Sequence, residues 1–277
     1  MKYILTFLVC FFSAFSITFS LLPADTVRFA AFVRVKDEIK TVIPCLDSID
    51  GVFDKIVIIH SNEPDDGSVK AMKKWCKWRL NCHIYEYPHA VIPSHQGNQK
   101  KIQYKNSLAA YNNFGLEKFE PEEYVVKIDA DQIYIRPQLK ETLNIIRQKD
   151  KENNAFWYGI KGYNTYPYQG KLVAYKPTSM NGGKDSFIVK RKYIEKFHNN
   201  IHYETIKNIY NLPAYIFKEP HWFHFMKTLK SNGVVRSTDD AEENEIKKLS
   251  DSQIQQFNLY IKPLLEKHHS LYKNLSF

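Results

Sequence analysis

The sequence predicts an α/β fold with a mostly parallel central sheet flanked by helices. Three observations lead there. Short runs rich in β-branched and aromatic residues alternate with stretches of helical apolar spacing. One of them, Lys55 to His60 (KIVIIH), holds the continuous apolar run of a strand covered on both faces. A fourth, Tyr124 to Ile128 (YVVKI), leads straight into Asp129-Ala130-Asp131, two carboxylates at the edge where open α/β sheets receive ligands.

The elements follow in order. Val27 to Val35 (VRFAAFVRV) is a strand candidate. Lys36 to Ile49 places Ile39, Val42, Ile43, Leu46 and Ile49 at helical spacing. After the KIVIIH strand, Asp65-Asp66-Gly67-Ser68 reads as a turn and helix start, Val69 to Leu80 as a helix and His83 to Tyr87 as a third strand. Ile102 to Phe114 is a further helix, ended by Gly115. Beyond about Lys151 the pattern changes. Ala155 to Ile160, Lys171 to Tyr175 and Phe187 to Lys190 read as strands, the last preceded by the loop Asn181-Gly182-Gly183-Lys184. The tail after Asp239 reads as helical, with Ile254, Phe257, Ile261, Leu264 and Leu265 on one stripe and a kink at Pro263. That stripe either packs on the domain or lies on a membrane.

Ahead of all this, Ile4 to Leu22 is almost wholly apolar, preceded by Lys2 and closed by Pro23. At about 1.5 Å per residue it nearly spans a hydrocarbon core of about 30 Å. A retained anchor fits the length; a cleaved signal peptide is the alternative, although Thr18-Phe19-Ser20 matches a cleavage site poorly. Arg28, Arg34, Lys36 and Lys40 after the run put the following domain on the cytoplasmic face, with a secreted or lumenal product if the run is cleaved. The resulting division is residues 1–22 as hydrophobic segment, 26–238 as the main domain and 239–277 as the helical tail.

With 277 residues, 44% of them hydrophobic, the chain holds one large core or two small ones. Its 25% charged content excludes wholesale disorder. The net charge of +9 is scattered without a basic block, which argues against nucleic acid and for an anionic small partner, glycolipid or membrane surface. Cys10, Cys45, Cys76 and Cys82 contain no CxxC pair, so neither a zinc site nor a disulfide framework is expected. Reduced thiols are the simpler reading, with a Cys76–Cys82 bridge as the alternative.

The chemistry concentrates at the carboxyl edge of the sheet. On a strand, side chains at i and i+2 share a face, so Asp129 and Asp131 are expected to look into one space. Paired carboxylates there repel each other and suit a hard divalent cation. Arg34 and Glu38 leave the first strand at the same edge, where a guanidinium suits a phosphate or carbonyl and a carboxylate suits a base or ribose; Asp37 is placed to cap the next helix. Asp66 follows the second strand and is placed to reach a ribose or base.

The segments AFVRVKDE, DDGS and VVKIDAD, in this order and spacing, resemble glycosyltransferases of the GT-A fold. The likeness is closest to the bacterial β-1,4-N-acetylgalactosaminyltransferases of lipooligosaccharide synthesis and runs from about Ala30 to Lys230. It implies a UDP-sugar donor, a glycan or glycolipid acceptor, a Mn²⁺ or Mg²⁺ cofactor and inverting transfer of a hexose or N-acetylhexosamine, N-acetylgalactosamine in β-1,4 linkage first among them. By the resemblance Asp129 and Asp131 match the D-x-D metal motif, Arg34 and Glu38 the opening motif and Asp66 the D-G-S turn, so that Arg34, Glu38, Asp66 and Asp129 bind the nucleotide-sugar. Asp185 is the candidate base for the acceptor hydroxyl, and His224, in His221-Trp222-Phe223-His224, the candidate to complete the metal shell. The sequence departs from the family pattern between His89 and Gln99 and in the tail, both bearing on the acceptor. Two rival readings share the paired carboxylates or the fold: a metal-dependent hydrolase or nucleotidyltransferase, and a membrane-tethered glycan-binding module without catalysis. No oligomeric state is implied.

Overall fold

The computed structural model describes residues 27–92, 101–151, 157–169, 171–175, 180–199, 204–206, 211–226, 228–231, 234–237 and 246–268. The apolar run Ile4–Leu22 lies outside them. Among the described residues no helix is long and apolar enough to cross a membrane.

The first half alternates strands and helices. It runs β1 (Phe29–Val35), α1 (Val42–Ile49), β2 (Lys55–Ser61), α2 (Ser68–Cys76), β3 (Cys82–Tyr87), α3 (Leu108–Leu116) and β4 (Tyr124–Asp129). The four strands pair in parallel in the order β3-β2-β1-β4. Parallel neighbours need a crossover, and the helices supply it. Strands β1, β2 and β4 are largely apolar because both their faces are covered, while the edge strand β3 is only partly buried. Ala31, Val33, Ile56 and Ile58 pack against Val42, Cys45, Leu46 and Ile49 of α1. On the opposite face Ala30, Phe32, Val57 and Ile59 meet Ala109, Ala110 and Leu116 of α3.

Several expected boundaries move. The helix expected from Lys36 begins only at Val42, because Asp37 adopts a left-handed φ of 56° and the Glu38 carbonyl accepts from the Thr41 and Val42 amides. Asp37 therefore caps no helix; Thr41 stands at the N-cap. The helix from Val69 stops at Cys76. Cys76 is paired with Cys82, which overturns the expectation of reduced thiols there and ties the end of α2 to the start of β3. Gly115 does not end its helix but lies inside α3, where a Cβ would run into the Phe32 ring. Close helix–strand packing is the reason for that glycine.

The second half continues with β5 (Gln132–Tyr134), α4 (Arg136–Asp150), β6 (Trp157–Tyr168), β7 (Lys171–Tyr175), β8 (Met180–Lys190), β9 (His198–Asn199), β10 (Glu204–Thr205), β11 (Ala214–Phe225), β12 (Thr228–Ser231), β13 (Val234–Ser237) and β14 (Ile246–Lys247). Strand β8 lies antiparallel beside β4 and extends the sheet through β6 and β7 to β14. The sheet is thus parallel at its centre and antiparallel on this flank. Residues 181–184 belong to β8 rather than to a loop, but the pairing is irregular: Gly159 faces Phe187 and Lys161 faces Gly182, leaving residues 183–186 as a bulge. Strand β11 pairs with both β5 and β6.

The tail packs on the domain. Helix α5 (Asp251–Gln256), opened by a Ser250–Gln253 capping box, passes through a π turn (Phe257–Ile261) into α6 (Lys262–Lys267). The wide turn lies just before Pro263, which lacks the amide a regular helix would use. Phe257, Ile261 and Leu265 are buried against Ile133, Phe223 and Phe225. The stripe read as domain-packing or membrane-lying is a core stripe.

A polar clamp closes the tail onto α1. Asp47 accepts from Lys267 Nζ (2.6 Å), His268 Nε2 (2.7 Å) and Trp75 Nε1 (2.6 Å). Burial alone would raise its pKa; the Lys267, Trp75 and His268 hydrogen bonds outweigh it and hold the carboxyl at about 2. A carboxyl depressed in the folded state stabilises at pH above its ordinary value and loses that contribution as pH falls through the folded value. Asp47→Asn should therefore lower stability near pH 7 by about 1–2 kcal/mol, after screening by the exposed Lys267 partner. The difference between variant and parent should fade on acidification from about pH 4 to pH 2. Urea unfolding at neutral and acid pH measures both, and a difference that stays constant with pH sinks the clamp.

Candidate functional site

Along the chain the sheet grows outward from β1 through β2 to β3, and β4 then returns to the other side of β1. The strand order reverses between β1 and β4, and open α/β sheets bind ligands beyond the carboxyl ends of the strands at such a point. Arg34 and Asp129 face one another in the register of these two strands.

They form an ion pair. Arg34 Nε donates to Asp129 Oδ1 (2.7 Å), Nη2 pairs with the same oxygen, and Nη1 donates to Asn112 Oδ1 (3.3 Å). Lys127 Nζ approaches Asp129 Oδ2 (3.5 Å). Burial would raise the Asp129 pKa; Arg34 and Lys127 outweigh it and hold the carboxyl well below the usual carboxylate range. Asp129 is therefore a fixed anion.

Asp131 sits differently from the expectation. Strand β4 ends at Asp129, and Asp131 lies in the turn before β5, so the shared-face rule of a strand does not relate the two carboxylates. Strand β11 brings the partner instead. Its His224 lies opposite Gln132 of β5 and Asn164 of β6. His224 Nε2 is 3.0 Å from Asp131 Oδ2, and Nδ1 is 2.9 Å from Asn164 Oδ1. Since Asn164 Oδ1 only accepts, Nδ1 carries a proton. Burial opposes the charged ring, but the Asp131 charge and hydrogen bond, with the charges of Asp129 and Glu38, raise the His224 pKa. The neighbouring histidine differs. His221 is buried with Nε2 2.8 Å from Thr142 Oγ1, and burial lowers its pKa to about 4. It is a neutral core residue.

Glu38 and Asp66 shape the rim. The Glu38 amide donates to Ser68 Oγ (2.8 Å), and Glu38 Oε2 accepts from Thr41 Oγ1 (3.2 Å). Asp66 Oδ2 accepts from the Ile39 amide (3.0 Å), while Oδ1 accepts from the Ser68 amide (3.2 Å) and the Ser68 hydroxyl. Asp66 thus ties the loop after β1 to the start of α2 and sets where Glu38 stands. Beside it opens a small cleft lined by Lys36, His60, Glu63 and Ser68 among others. Within it Lys36 Nζ donates to Glu63 Oε2 (2.9 Å) and to the Val91 carbonyl (2.9 Å). The structure brings Arg34, Glu38, Asp129, Asp131 and His224 into one electrostatic neighbourhood, with Asp66 one contact away. The backbone of Asp185 lies in the β8 bulge; its side chain lies outside the described residues.

Sequence reasoning missed Glu63, Asn112 and Asn164. Glu63 follows the second strand at the ligand edge, a place that could have drawn notice. Asn112 is a fully buried amide in an otherwise apolar helix face, also a legible signal. Asn164 had none, since its role depends on β6 and β11 pairing.

Whether this arrangement suits a cation can be tested on its donors. Among the described residues no group of three or more His, Cys, Asp or Glu side chains is gathered as a closed metal site. Asp131 Oδ1, however, is buried and has no hydrogen-bond partner among the described residues. A buried carboxylate oxygen without a partner is costly, and its neighbours Asp129 and Glu38 are anionic. The donor set is hard and oxygen-rich and fits Mn²⁺ or Mg²⁺ with positions left for other ligands.

Residues 19–272 match the family described as Beta-1,4-N-acetylgalactosaminyltransferase (CgtA). No curated protein matches the chain by sequence. Among solved structures it is similar to S. aureus TarS 1–349, at 13% identity and a TM-score of 0.44 over 72% of this chain and 60% of that one. The same TarS fragment in complex with UDP gives 13% identity and a TM-score of 0.45 over 73% of this chain and 61% of that one. The chain therefore spans about 60% of the length of these structures.

Proposed function

We propose, from the premise that this chain belongs to the β-1,4-N-acetylgalactosaminyltransferase (CgtA) family, that it transfers a sugar from a UDP-sugar to a lipooligosaccharide or other surface glycan, with inversion. N-acetylgalactosamine in β-1,4 linkage is the proposed product. The observation that carries the reading is the buried, unpartnered Asp131 Oδ1 beside the Arg34–Asp129 ion pair at the switch point.

Each residue has a role in this reading. Arg34 keeps Asp129 ionised and oriented, and faces the phosphates. Glu38, held by Ser68 and Thr41, and Asp66, which positions that loop, border the nucleotide. Asp129 and Asp131 would hold Mn²⁺ or Mg²⁺, with His224 fixing Asp131 from behind or joining the shell. When bound, the cation offsets charge building on the departing diphosphate. The acceptor oxygen forms a bond to the anomeric carbon as the carbon–phosphate-oxygen bond breaks; the electron pair leaves with UDP and the hydroxyl proton passes to a base. Asp185 is the proposed base. Strand β8 runs antiparallel to β4 with Val126 opposite Ile188, and the backbone of position 185 lies in the irregular stretch of β8 just before that pairing. The apolar run Ile4–Leu22 serves in this reading as an anchor on the cytoplasmic face of a bacterial inner membrane.

Transfer from a panel of UDP-sugars to a labelled glycan acceptor, with the full chain, tests the proposal. UDP-N-acetylgalactosamine should give acceptor product with Mn²⁺, none in excess EDTA, and product again on restoring the ion. Product formed equally in EDTA removes the metal. Free sugar without glycosylated acceptor makes the protein a hydrolase.

A further inference from the structure

We propose that the outer face of α2 and the turn that follows it form a second membrane contact, specific for anionic lipid. Lys70, Lys73, Lys74 and Lys77 stand at i, i+3, i+4 and i+7, so they share one helix face. All four are exposed, and among the described residues none is held in an ion pair. The opposite face of the helix is spent on the core, where Met72, Trp75 and Cys76 are buried. The lysine stripe ends at two exposed apolar side chains: Trp78 is 83% exposed and Leu80 is 97% exposed. Lys77 Nζ lies 4.8 Å from the centre of the Trp78 ring. The turn is held in shape by the Cys76–Cys82 bridge and by Arg79, which stacks on Trp75 and pairs with Asp50 (2.9 Å).

A headgroup layer accommodates an outward Trp and Leu next to a lysine stripe. Tryptophan partitions to the membrane interface, and lysines at its level attract anionic headgroups. Placement agrees. Helix α2 starts at the site edge of the sheet and runs to the opposite edge, where the Asn81 carbonyl accepts from the Ile56 amide near the start of β2. The chain enters β1 at this same edge, at Phe29. The apolar run Ile4–Leu22 precedes that entry by only a few residues. The entry to β1 and the Trp78 turn thus belong to one edge of the sheet, which would face the bilayer while the catalytic edge faces away from it. This contact does not depend on the proposed transfer reaction.

The test uses the full chain and tryptophan emission, because Trp75, Trp157 and Trp222 are all buried. Vesicles of phosphatidylcholine with phosphatidylglycerol should shift the emission to the blue; pure phosphatidylcholine vesicles should not. Trp78→Phe should lose the shift, and Lys73→Gln/Lys74→Gln/Lys77→Gln should lose its dependence on phosphatidylglycerol, both with unchanged thermal melting. No shift, or a shift that survives Trp78→Phe, overturns the proposal. So does an equal shift on phosphatidylcholine alone, or one produced without vesicles by raising protein concentration, which would mean that a second copy covers the turn.

Discussion

Asp131→Asn should abolish transfer while the protein stays folded. The substitution keeps the side chain's shape and an acceptor for His224 Nε2, and removes the negative charge next to the buried Oδ1 that lacks a partner. If Asp131 carries a hard cation, the loss is that of its share in stabilising the leaving diphosphate, several kcal/mol, or about 10³-fold in turnover. Asp131→Ala should lose as much activity and also destabilise by about 1–3 kcal/mol, because the half-buried His224 Nε2 loses its partner. Turnover with saturating UDP-sugar and thermal melting separate the two effects. Full activity in Asp131→Asn would end the metal assignment, and a shared large loss of stability would reduce the aspartate to a structural tie.

Asp185→Asn should lower turnover by about 10²–10⁴-fold, the usual contribution of a positioned general base, with UDP-sugar affinity nearly unchanged. The motive is the position of residue 185: its backbone lies in the β8 bulge, just before the stretch of β8 that pairs with β4. Bulges re-aim a side chain near active sites. The pH profile gives a readout that mere misfolding would not move, since removing the base removes the limb on which activity rises with its ionisation. Turnover near the parent value would shift the role to Glu219, the next acidic residue on β11. A lost donor affinity would mean that residue 185 holds the sugar and not the proton.

The parallel core was legible in the sequence because the centre of a strand covered on both faces has to be mostly apolar. VRFAAFVRV, KIVIIH and YVVKI are apolar at their centres, with charged residues near their ends, and β1, β2 and β4 appear where those runs stand. The α4 helix was equally legible, with Leu139, Thr142, Leu143 and Ile146 spaced as one buried stripe, and went unread. Helix starts were read less well. The chain between Val35 and Val42 is fixed by a left-handed Asp37 and by Asp66 and Ser68 from another loop, and no local pattern encodes a partner on a distant turn.

What the sequence by itself determined is the parallel sheet, the family motifs and the presence of Arg34, Glu38 and Asp129 at its carboxyl edge, because apolar period and strand ends are local properties. Only the tertiary structure decided who meets whom. His224 reaches Asp131 across 93 residues, and Arg34 reaches Asp129 across 95. Asp131 turned out to lie in a turn, and His221 and His224, three residues apart, went to a neutral core and to an acidic site. Side-chain chemistry names the candidates, but charge, burial and partner depend on which strands pair, and strand pairing is a property of the whole chain.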